Sequence, residues 1–312
     1  MSVLVTGGCG YVGTKLTQAL LAHTAYDVTV LDVQWFGNRL SAHPRLTILA
    51  MDVRAIDTVD LSGVDTIFHL ANVANDPAVE LNPSASWEIN VLATMRLADR
   101  AARQGVRQFV FASSGSVYGV KSEPRVTEDV ELLPISEYNK TKMVAERVIM
   151  SYAGSMTTTI IRPATVCGLS PRMRLDLTVN LLTVQALTSG LMTVFGGDQV
   201  RPNIHIDDLV RVYLFALERR LAGIYNAGFE NLSVREIADH VAERVPAAIT
   251  VSPSSDPRSY RVCADRLIAA GFSPAKNVGM AIDEMAAAFR AGRLRDDPAA
   301  HNVSWMKAHN LG

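Results

Sequence analysis

Short β-rich apolar runs alternate with longer segments of helical periodicity over the first half of the chain. The predicted strands cover residues 2–6, 27–31, 45–50, 65–70, 107–112 and 157–161. The predicted helices begin at Tyr11, cover 83–104, and run from Ser136 towards Tyr152. Strands that alternate with helices in this way indicate a parallel sheet with helices on both faces. The predicted fold class is therefore α/β, a Rossmann-type doubly wound parallel sheet.

The pattern changes after Gly168, where a polar loop precedes an apolar helical segment at 177–189 and a glycine turn. We expect a smaller C-terminal substrate-binding lobe there. The predicted boundaries are 1–167 for an NAD-binding domain to which 203–228 returns, 168–202 and 229–295 for the second lobe, and 296–312 for a tail.

The charge balance excludes a general attraction to nucleic acid or to an anionic membrane, because 30 basic residues oppose 31 acidic ones. The cysteines, Cys9, Cys167 and Cys263, are far apart without C-x-x-C spacing, so neither a metal site nor a disulfide framework is indicated. No apolar run approaches the roughly 18 residues of a membrane helix, and a predicted strand begins at Ser2 with no signal segment before it. These features predict a soluble, cytoplasmic protein.

Glycines occupy the first, fourth and seventh positions of the turn between the first strand and the first helix. Gly7, Gly10 and Gly13 would let the backbone approach a pyrophosphate, to which the helix N-terminus offers N–H groups and partial positive charge. Glycines also serve ordinary tight turns, so this spacing alone is weak evidence. Asp32 ends the second strand and could accept hydrogen bonds from the adenosine ribose. This favours NAD, although Arg39 lies close enough in sequence to leave NADP open.

Candidate catalytic residues follow the strand at 107–112. Ser114 comes directly after it, and Tyr138 and Lys142 lie on the next predicted helix, where a separation of four puts them on one face. A free tyrosine titrates near about pH 10, so the Lys142 ammonium and an oxidised nicotinamide would favour its ionised form and make it a better base. Tyr-x-x-x-Lys alone would equally suit a surface tyrosine packed on a lysine stem. The order of all three residues indicates catalysis.

Four motifs occur in a fixed order: TGGCGYVG at 6–13, SSGSVYG at 113–119, YNKTK at 138–142 and RPNIHIDDL at 201–209. With them the chain resembles the extended short-chain dehydrogenase/reductase family, in its NAD-dependent sugar-nucleotide epimerase and dehydratase branch, over nearly its whole length. The resemblance implies an enzyme that binds NAD and a nucleotide-linked sugar.

The resemblance also implies a role for individual residues, with Ser114, Tyr138 and Lys142 catalytic. The implied cofactor-binding residues are Gly7, Gly10, Tyr11, Val12, Gly13, Asp32, Asp52, Val53, Leu70, Ala71, Asn72, Asn90, Ser113, Tyr138, Lys142 and Pro163. The implied substrate-binding residues are Ser114, Ser116, Thr165, Arg174, Asn180, Arg201 and Arg258. Arginine suits phosphate because its fork can pair with two oxygens, although each arginine could instead form a surface salt bridge.

Departures from the family pattern narrow the reaction. Gly115 and Ser116 stand where 4,6-dehydratases carry an acidic pair, which disfavours dehydration. Thr165 replaces the asparagine of many 4-epimerases, and the stretch SPRMRLDLTVN resembles a subgroup with 4-epimerase-like and heptose 4-dehydrogenase-like members. We expect NAD-dependent oxidation at C4 of a nucleotide-linked sugar, as a 4-epimerase in preference to a dehydrogenase that releases the 4-keto sugar. An NADPH-dependent ketoreductase and a non-catalytic dinucleotide-binding protein are the further alternatives.

The resemblance implies a homodimer as well. Related enzymes pair two helices from each protomer into a four-helix bundle. In this chain those helices would be 87–101 and 138–149, and both have apolar positions beyond one narrow stripe.

Overall fold

The computed structural model of the protein describes residues 1–254 and 259–311. Its strands are β1 (Ser2–Thr6), β2 (Asp27–Asp32), β3 (Leu46–Ala50), β4 (Val64–His69), β5 (Gln108–Ala112), β6 (Thr157–Pro163), β7 (Thr165–Cys167), β8 (Leu191–Phe195), β9 (Val200–His205), β10 (Gly223–Ala227), β11 (Glu230–Ser233) and β12 (Ala248–Ser252). Its α-helices are α1 (Tyr11–His23), α2 (Asp76–Val79), α3 (Pro83–Trp87), α4 (Ala93–Arg103), α5 (Glu137–Met150), α6 (Thr178–Ser189), α7 (Ile206–Arg219), α8 (Val234–Arg244), α9 (Asp265–Ala269), α10 (Val278–Arg290) and α11 (Asn302–His309).

Seven strands form a parallel sheet in the order β10-β6-β5-β4-β1-β2-β3. The chain winds outwards from β1 to β3 and then crosses back to place β4 on the other side of β1, so the predicted doubly wound fold class is confirmed. Sheets of this kind bind ligands at the carboxyl ends of the strands beside the reversal, here β1 and β4.

Both faces of the sheet are buried, as the nearly continuous apolar strands require. Helices α4 and α5 cover one face through side chains such as Leu97 and Ile149. Helices α1 and α7 cover the other through Leu16 and Tyr213. The carboxyl edge of the sheet is left for the loops that form the site.

The helix predicted over 83–104 is present but not uniform, because a π-helical turn, Glu88–Leu92, separates α3 from α4. This wider turn carries Asn90, whose side chain bonds the backbone of Val73 in both directions. The Val73 N–H donates to Asn90 Oδ1 at 2.8 Å, and Asn90 Nδ2 donates to the Val73 carbonyl at 3.2 Å. Asn90 thus fixes the loop after β4.

A second, smaller set of elements faces the carboxyl edge. Strands β7, β9 and β11 form one sheet, β8 and β12 form another, and α6, α8 and α10 pack together around buried side chains such as Leu182, Ile237 and Ile282. Within 203–228, β10 pairs with β6. The expectation for 229–295 is wrong in one stretch, since Leu267 and Phe272 are buried in the core beneath the first sheet with α1 and α7.

The end of the chain is not the predicted tail. It forms α11, and Met306 is buried against the core that α4 and α5 cover. Trp305 Nε1 donates to the Trp35 carbonyl at 2.8 Å, which ties α11 to the loop after β2. A few apolar residues in a polar segment are enough to dock a short helix on a surface that is already folded. Within residues 1–254 and 259–311, no helix has the length and apolar character needed to cross a bilayer.

Candidate active site

A cavity of about 710 Å³ lies at the carboxyl ends of β1, β4, β5 and β6, between the sheet and the second lobe. It brings together most of the residues predicted from the sequence. These are Gly7, Gly10, Tyr11, Val12, Gly13, Asp32, Asp52, Val53, Leu70, Ala71, Asn72, Ser113, Ser114, Ser116, Tyr138, Pro163, Thr165, Arg174 and Arg201.

The glycine turn leaves the N-terminus of α1 open to the cavity. Gly7 has φ +75°, and a Cβ there would lie 2.6 Å from the Ala71 nitrogen, so no other residue suits the position. Gly10 caps α1 without a side chain, and no acidic residue occupies the first turn. The first N–H groups and the positive end of the helix dipole therefore face the cavity.

Asp32 is held rigidly at the other side of this turn. Its two carboxylate oxygens accept hydrogen bonds from the backbone N–H groups of Cys9, at 2.9 Å, and Gln34, at 2.7 Å. Arg39, the residue that left NADP open, pairs instead with the exposed Asp297 at 3.7 Å and is not part of the cavity wall. Nearby, the buried Asn72 Oδ1 has no hydrogen-bond partner within the described residues. An orphaned polar atom beside an open helix terminus fits a polar, anionic ligand such as a dinucleotide.

The predicted catalytic serine and tyrosine meet at the centre of the cavity. Ser114 Oγ lies 2.7 Å from Ser116 Oγ, which donates to Asn139 Oδ1 at 2.6 Å. Burial raises the pKa of Tyr138 to about 12, while Arg174 and Ser114 act in the opposite direction. The phenol therefore needs nearby positive charge before it can serve as a base at neutral pH.

Lys142 lies behind this centre and not in the cavity wall. Its Nζ donates to the Ala112 carbonyl at 2.8 Å and is 6.0 Å from the centroid of the Tyr138 ring. Burial lowers the pKa of Lys142 to about 7, opposed by Glu146 one turn further along α5. The ammonium therefore lies over the Tyr138 ring while its hydrogen bond is made at the end of β5, and its effect on the ionisation of the phenol stays a prediction. The cation that lowers the pKa of Tyr138 is Arg174.

A buried ion pair between Arg162 and Glu146 lies next to Lys142. Arg162 donates to both carboxylate oxygens of Glu146, at 2.9 and 2.7 Å, and Glu146 also accepts a hydrogen bond from Ser113. Both charged side chains are almost fully buried. Removing one partner of such a pair would leave the other uncompensated, so this network fixes the position of α5 against β6.

Three residues predicted for the substrate alone also line this cavity, namely Thr165, Arg174 and Arg201. Arg174 donates to both oxygens of Asp176 at 3.0 Å. Asn90 is buried behind the wall, and Arg258 lies outside the described residues.

Asn180 does not reach the cavity. It is fully buried, with its Oδ1 accepting from the Gly168 N–H at 2.9 Å and its Nδ2 donating to Tyr11 Oη at 3.1 Å and to the Arg174 carbonyl at 2.9 Å. The prediction of a direct phosphate contact is therefore corrected, since every hydrogen-bonding group of this amide is already used within the protein. Asn180 instead links the start of α1 to the loop that carries Arg174.

Several cavity residues had no predicted role, including Asn75, Asp76, Arg172 and Asn302. Arg172 lies in the SPRMR stretch, and the two arginines of that stretch are the sequence feature that could have indicated its role. Asn302 comes from the segment taken for a tail, and nothing in its local sequence indicates proximity to the cavity. Its position depends on where α11 docks.

Comparison with known proteins agrees with this geometry. The model of the NAD dependent epimerase/dehydratase family matches residues 3–228. The chain belongs to this family. UDP-glucose 4-epimerase from Corynebacterium glutamicum is 28% identical over 282 residues, which span 82% of this chain and 85% of that protein.

Two solved structures show the same architecture. The dTDP-glucose 4,6-dehydratase DesIV from Streptomyces venezuelae, with NAD bound, superposes with a TM-score of 0.85 at 27% identity, covering 94% of this chain and 98% of that one. UDP-glucuronic acid 4-epimerase from Bacillus cereus, with UDP-glucuronic acid and NAD, superposes with a TM-score of 0.82 at 25% identity. The superposition covers 93% of this chain and 99% of that one. The protein is an enzyme, and its cofactor is NAD.

Proposed function

We propose that the protein is a nucleotide-sugar 4-epimerase in which Tyr138 is the general base. The observation that carries the proposal is that Tyr138 and Ser114 line one cavity together with the start of α1, Asp32, Arg174 and Arg201. A dinucleotide and a diphosphate-linked sugar would meet at the phenol.

The roles of the side chains follow from this arrangement. Tyr138 removes the proton from a sugar hydroxyl, and Ser114 holds the same hydroxyl by a hydrogen bond. NAD, held by the N-terminus of α1 and Asp32, would supply the hydride acceptor for oxidation of the carbon that carries this hydroxyl and the hydride donor for its reduction. Arg174 favours the ionised phenol through its positive charge, and Lys142 and Asn139 hold the surrounding groups. No acidic residue occupies 115 or 116, so these positions offer no second acid–base group for dehydration.

The substrate proposed is a nucleotide-linked hexose or hexuronic acid. This choice of substrate rests on the relatives that act on UDP-glucose and UDP-glucuronic acid. It also rests on Arg174 and Arg201, which line the cavity. Release of a 4-keto sugar is the alternative. An epimerase is preferred because relatives such as the Corynebacterium glutamicum and Bacillus cereus proteins are 4-epimerases.

Proton NMR of the purified protein with UDP-glucose, UDP-glucuronic acid and dTDP-glucose, each alone and without added NAD, tests the proposal. We expect signals of the C4 epimer with one of them, approaching an equilibrium mixture without accumulation of NADH. A keto sugar formed together with an equal amount of NADH would show that the protein is a dehydrogenase.

A further inference from the structure

Arg172 is a buried cation in the wall of the cavity, and the proposed chemistry does not use it. Its residue is 4% exposed, and its Nε has no hydrogen-bond partner within residues 1–254 and 259–311. No ion pair joins it to a carboxylate in the same part of the chain. Asp176 and Asp32 attract this guanidinium, but neither makes a direct ion pair with it. A buried cation that lacks a direct partner favours a ligand that supplies negative charge.

Two elements hold the guanidinium in place. Its Cζ lies 4.2 Å from the centroid of the Phe36 ring, and its Nη2 donates to Asn302 Oδ1 on α11. Trp305, on the same helix, bonds the backbone of Trp35 next to Phe36. Burial, and then repulsion by Arg174, lower the pKa of Arg172 to about 10, while Asp176, Asp32 and Tyr11 act in the opposite direction.

The loop that carries Arg172 is fastened to the start of α1. Ser170 Oγ donates to the Tyr11 carbonyl at 2.8 Å, and Tyr11 Oη donates to the Gly168 carbonyl at 2.7 Å. On the other side, Arg172 acts electrostatically on Asp32 and favours its ionised form. The guanidinium therefore lies within electrostatic reach of Tyr11, at the start of α1, and of Asp32, the carboxylate proposed to bind the adenosine ribose.

We propose that Arg172 binds the diphosphate of NAD from the second lobe, and that Asn302 of α11 is the residue that positions it. An arginine fork can pair with two phosphate oxygens opposite the N–H groups of α1. The second lobe and the C-terminal helix then close over the cofactor, and NAD stays bound through turnover. The inference rests on NAD as the cofactor and is independent of the choice between epimerase and dehydrogenase.

Titration of the apoprotein with NAD, followed by tryptophan fluorescence, tests this directly because Trp35 lines the cavity. Arg172→Met should raise the Kd for NAD by about tenfold or more, the scale for losing a charge-assisted hydrogen bond. It should also lower the NAD content of the purified protein. Arg172→Lys keeps the charge but not the fork, and should show a smaller increase of the same sign. The matched control is Arg39→Met, which removes a positive charge near α11 from outside the cavity and should leave the Kd unchanged.

Asn302→Ala tests the positioning role. It should weaken NAD binding less than Arg172→Met does, and the double variant should bind no more weakly than Arg172→Met alone, because the amide acts only through the guanidinium. Circular dichroism checks that each variant is folded. Independent, additive effects of the two substitutions would contradict the role of Asn302.

Competition experiments identify the group that Arg172 contacts. ADP-ribose, which carries the diphosphate, should lose affinity in Arg172→Met, whereas adenosine and UDP should not. If Arg172→Met lost affinity for UDP alone, Arg172 would contact the substrate. If it lost more affinity for NADP than for NAD, Arg172 would contact the adenosine ribose. Either result overturns the proposal. So does an unchanged Kd for NAD in both Arg172→Met and Arg172→Lys, or an equal loss in Arg39→Met. If wild-type protein binds NAD tightly but converts no nucleotide sugar, the proposed function fails while these binding results stand.

Discussion

The phenol of Tyr138 experiences two opposing influences. Burial holds its pKa near about 12, and the positive charge of Arg174 lowers it. Arg174 is itself held by Asp176, so the cation is fixed close to the place where the base must ionise. The ionisation of Tyr138, the proposed base, therefore responds to a residue of the second lobe.

Arg174→Met should therefore change the pH dependence of turnover. Removing a positive charge destabilises the phenolate and raises the pKa of Tyr138, so the acidic limb of kcat/KM should move to higher pH. Activity at neutral pH falls, and part of it returns as the pH rises. Arg201→Met is the matched control, because Arg201 lines the same cavity and is not among the groups that shift the pKa of Tyr138. It should raise KM without moving the limb, and an equal shift in both variants would contradict the assignment.

The sequence predicts that Ser114 and Tyr138 come together, as they do in the cavity, but it does not predict their contacts. The spacing of Tyr138 and Lys142 places both side chains on one face of α5, and they are both on it. That spacing contains no information about the Ala112 carbonyl, which belongs to a strand and draws the lysine away from the cavity. Asn180 was misassigned for the same reason, since its partners Tyr11 and Gly168 are distant in sequence.

At the scale of elements, the strands and long helices can be predicted from the periodicity of apolar residues along the chain. The short terminal helix cannot. β1 and α5 have strong internal patterns and clear boundaries, whereas α11 has only eight residues in a polar segment. Its helical structure depends on docking against a surface made by residues far away in sequence, such as Trp35. The same dependence applies to the π-helical turn, which is set by the bonds between Asn90 and Val73.

The docking of α11 should contribute measurably to stability. Met306 is 2% exposed, and Met306→Ala should lower the free energy of unfolding by about 2–5 kcal/mol through lost burial and the cavity left behind. Urea denaturation followed by circular dichroism measures this. Met280→Ala on α10 is the matched control, because that side chain is 37% exposed and its loss should have little effect. Equal, small effects in both variants would mean that α11 is only loosely attached.

At the scale of the whole molecule, α4 and α5 pack side by side and leave an apolar surface beside them. Leu92, at the end of the π-helical turn, and Met95, on α4, are 44% and 42% exposed. We predict a homodimer through this surface, in which the helices of two protomers form a four-helix bundle.

Light scattering after size exclusion at micromolar concentration should give twice the protomer mass. The double variant Leu92→Glu, Met95→Glu should be monomeric, because it buries four carboxylates at a two-fold interface. Met280→Glu, on a different surface, should remain dimeric. A monomeric mass for the wild-type protein would contradict the prediction.

The central claim is that Tyr138 is the base for oxidation of a nucleotide sugar by bound NAD, and Tyr138→Phe removes only the phenol oxygen. Stopped-flow measurement of the near-ultraviolet absorbance of reduced nicotinamide, after mixing with the sugar nucleotide that is turned over, reports this step. Tyr152→Phe, just beyond α5, serves as the matched control. We expect NAD content and folding to be retained in both variants. The rate of cofactor reduction should fall on the order of a hundredfold or more in Tyr138→Phe alone, the scale for losing a positioned general base. A Tyr138→Phe variant that reduces NAD as fast as wild type would contradict the account, and the role given to Ser114 would fall with it.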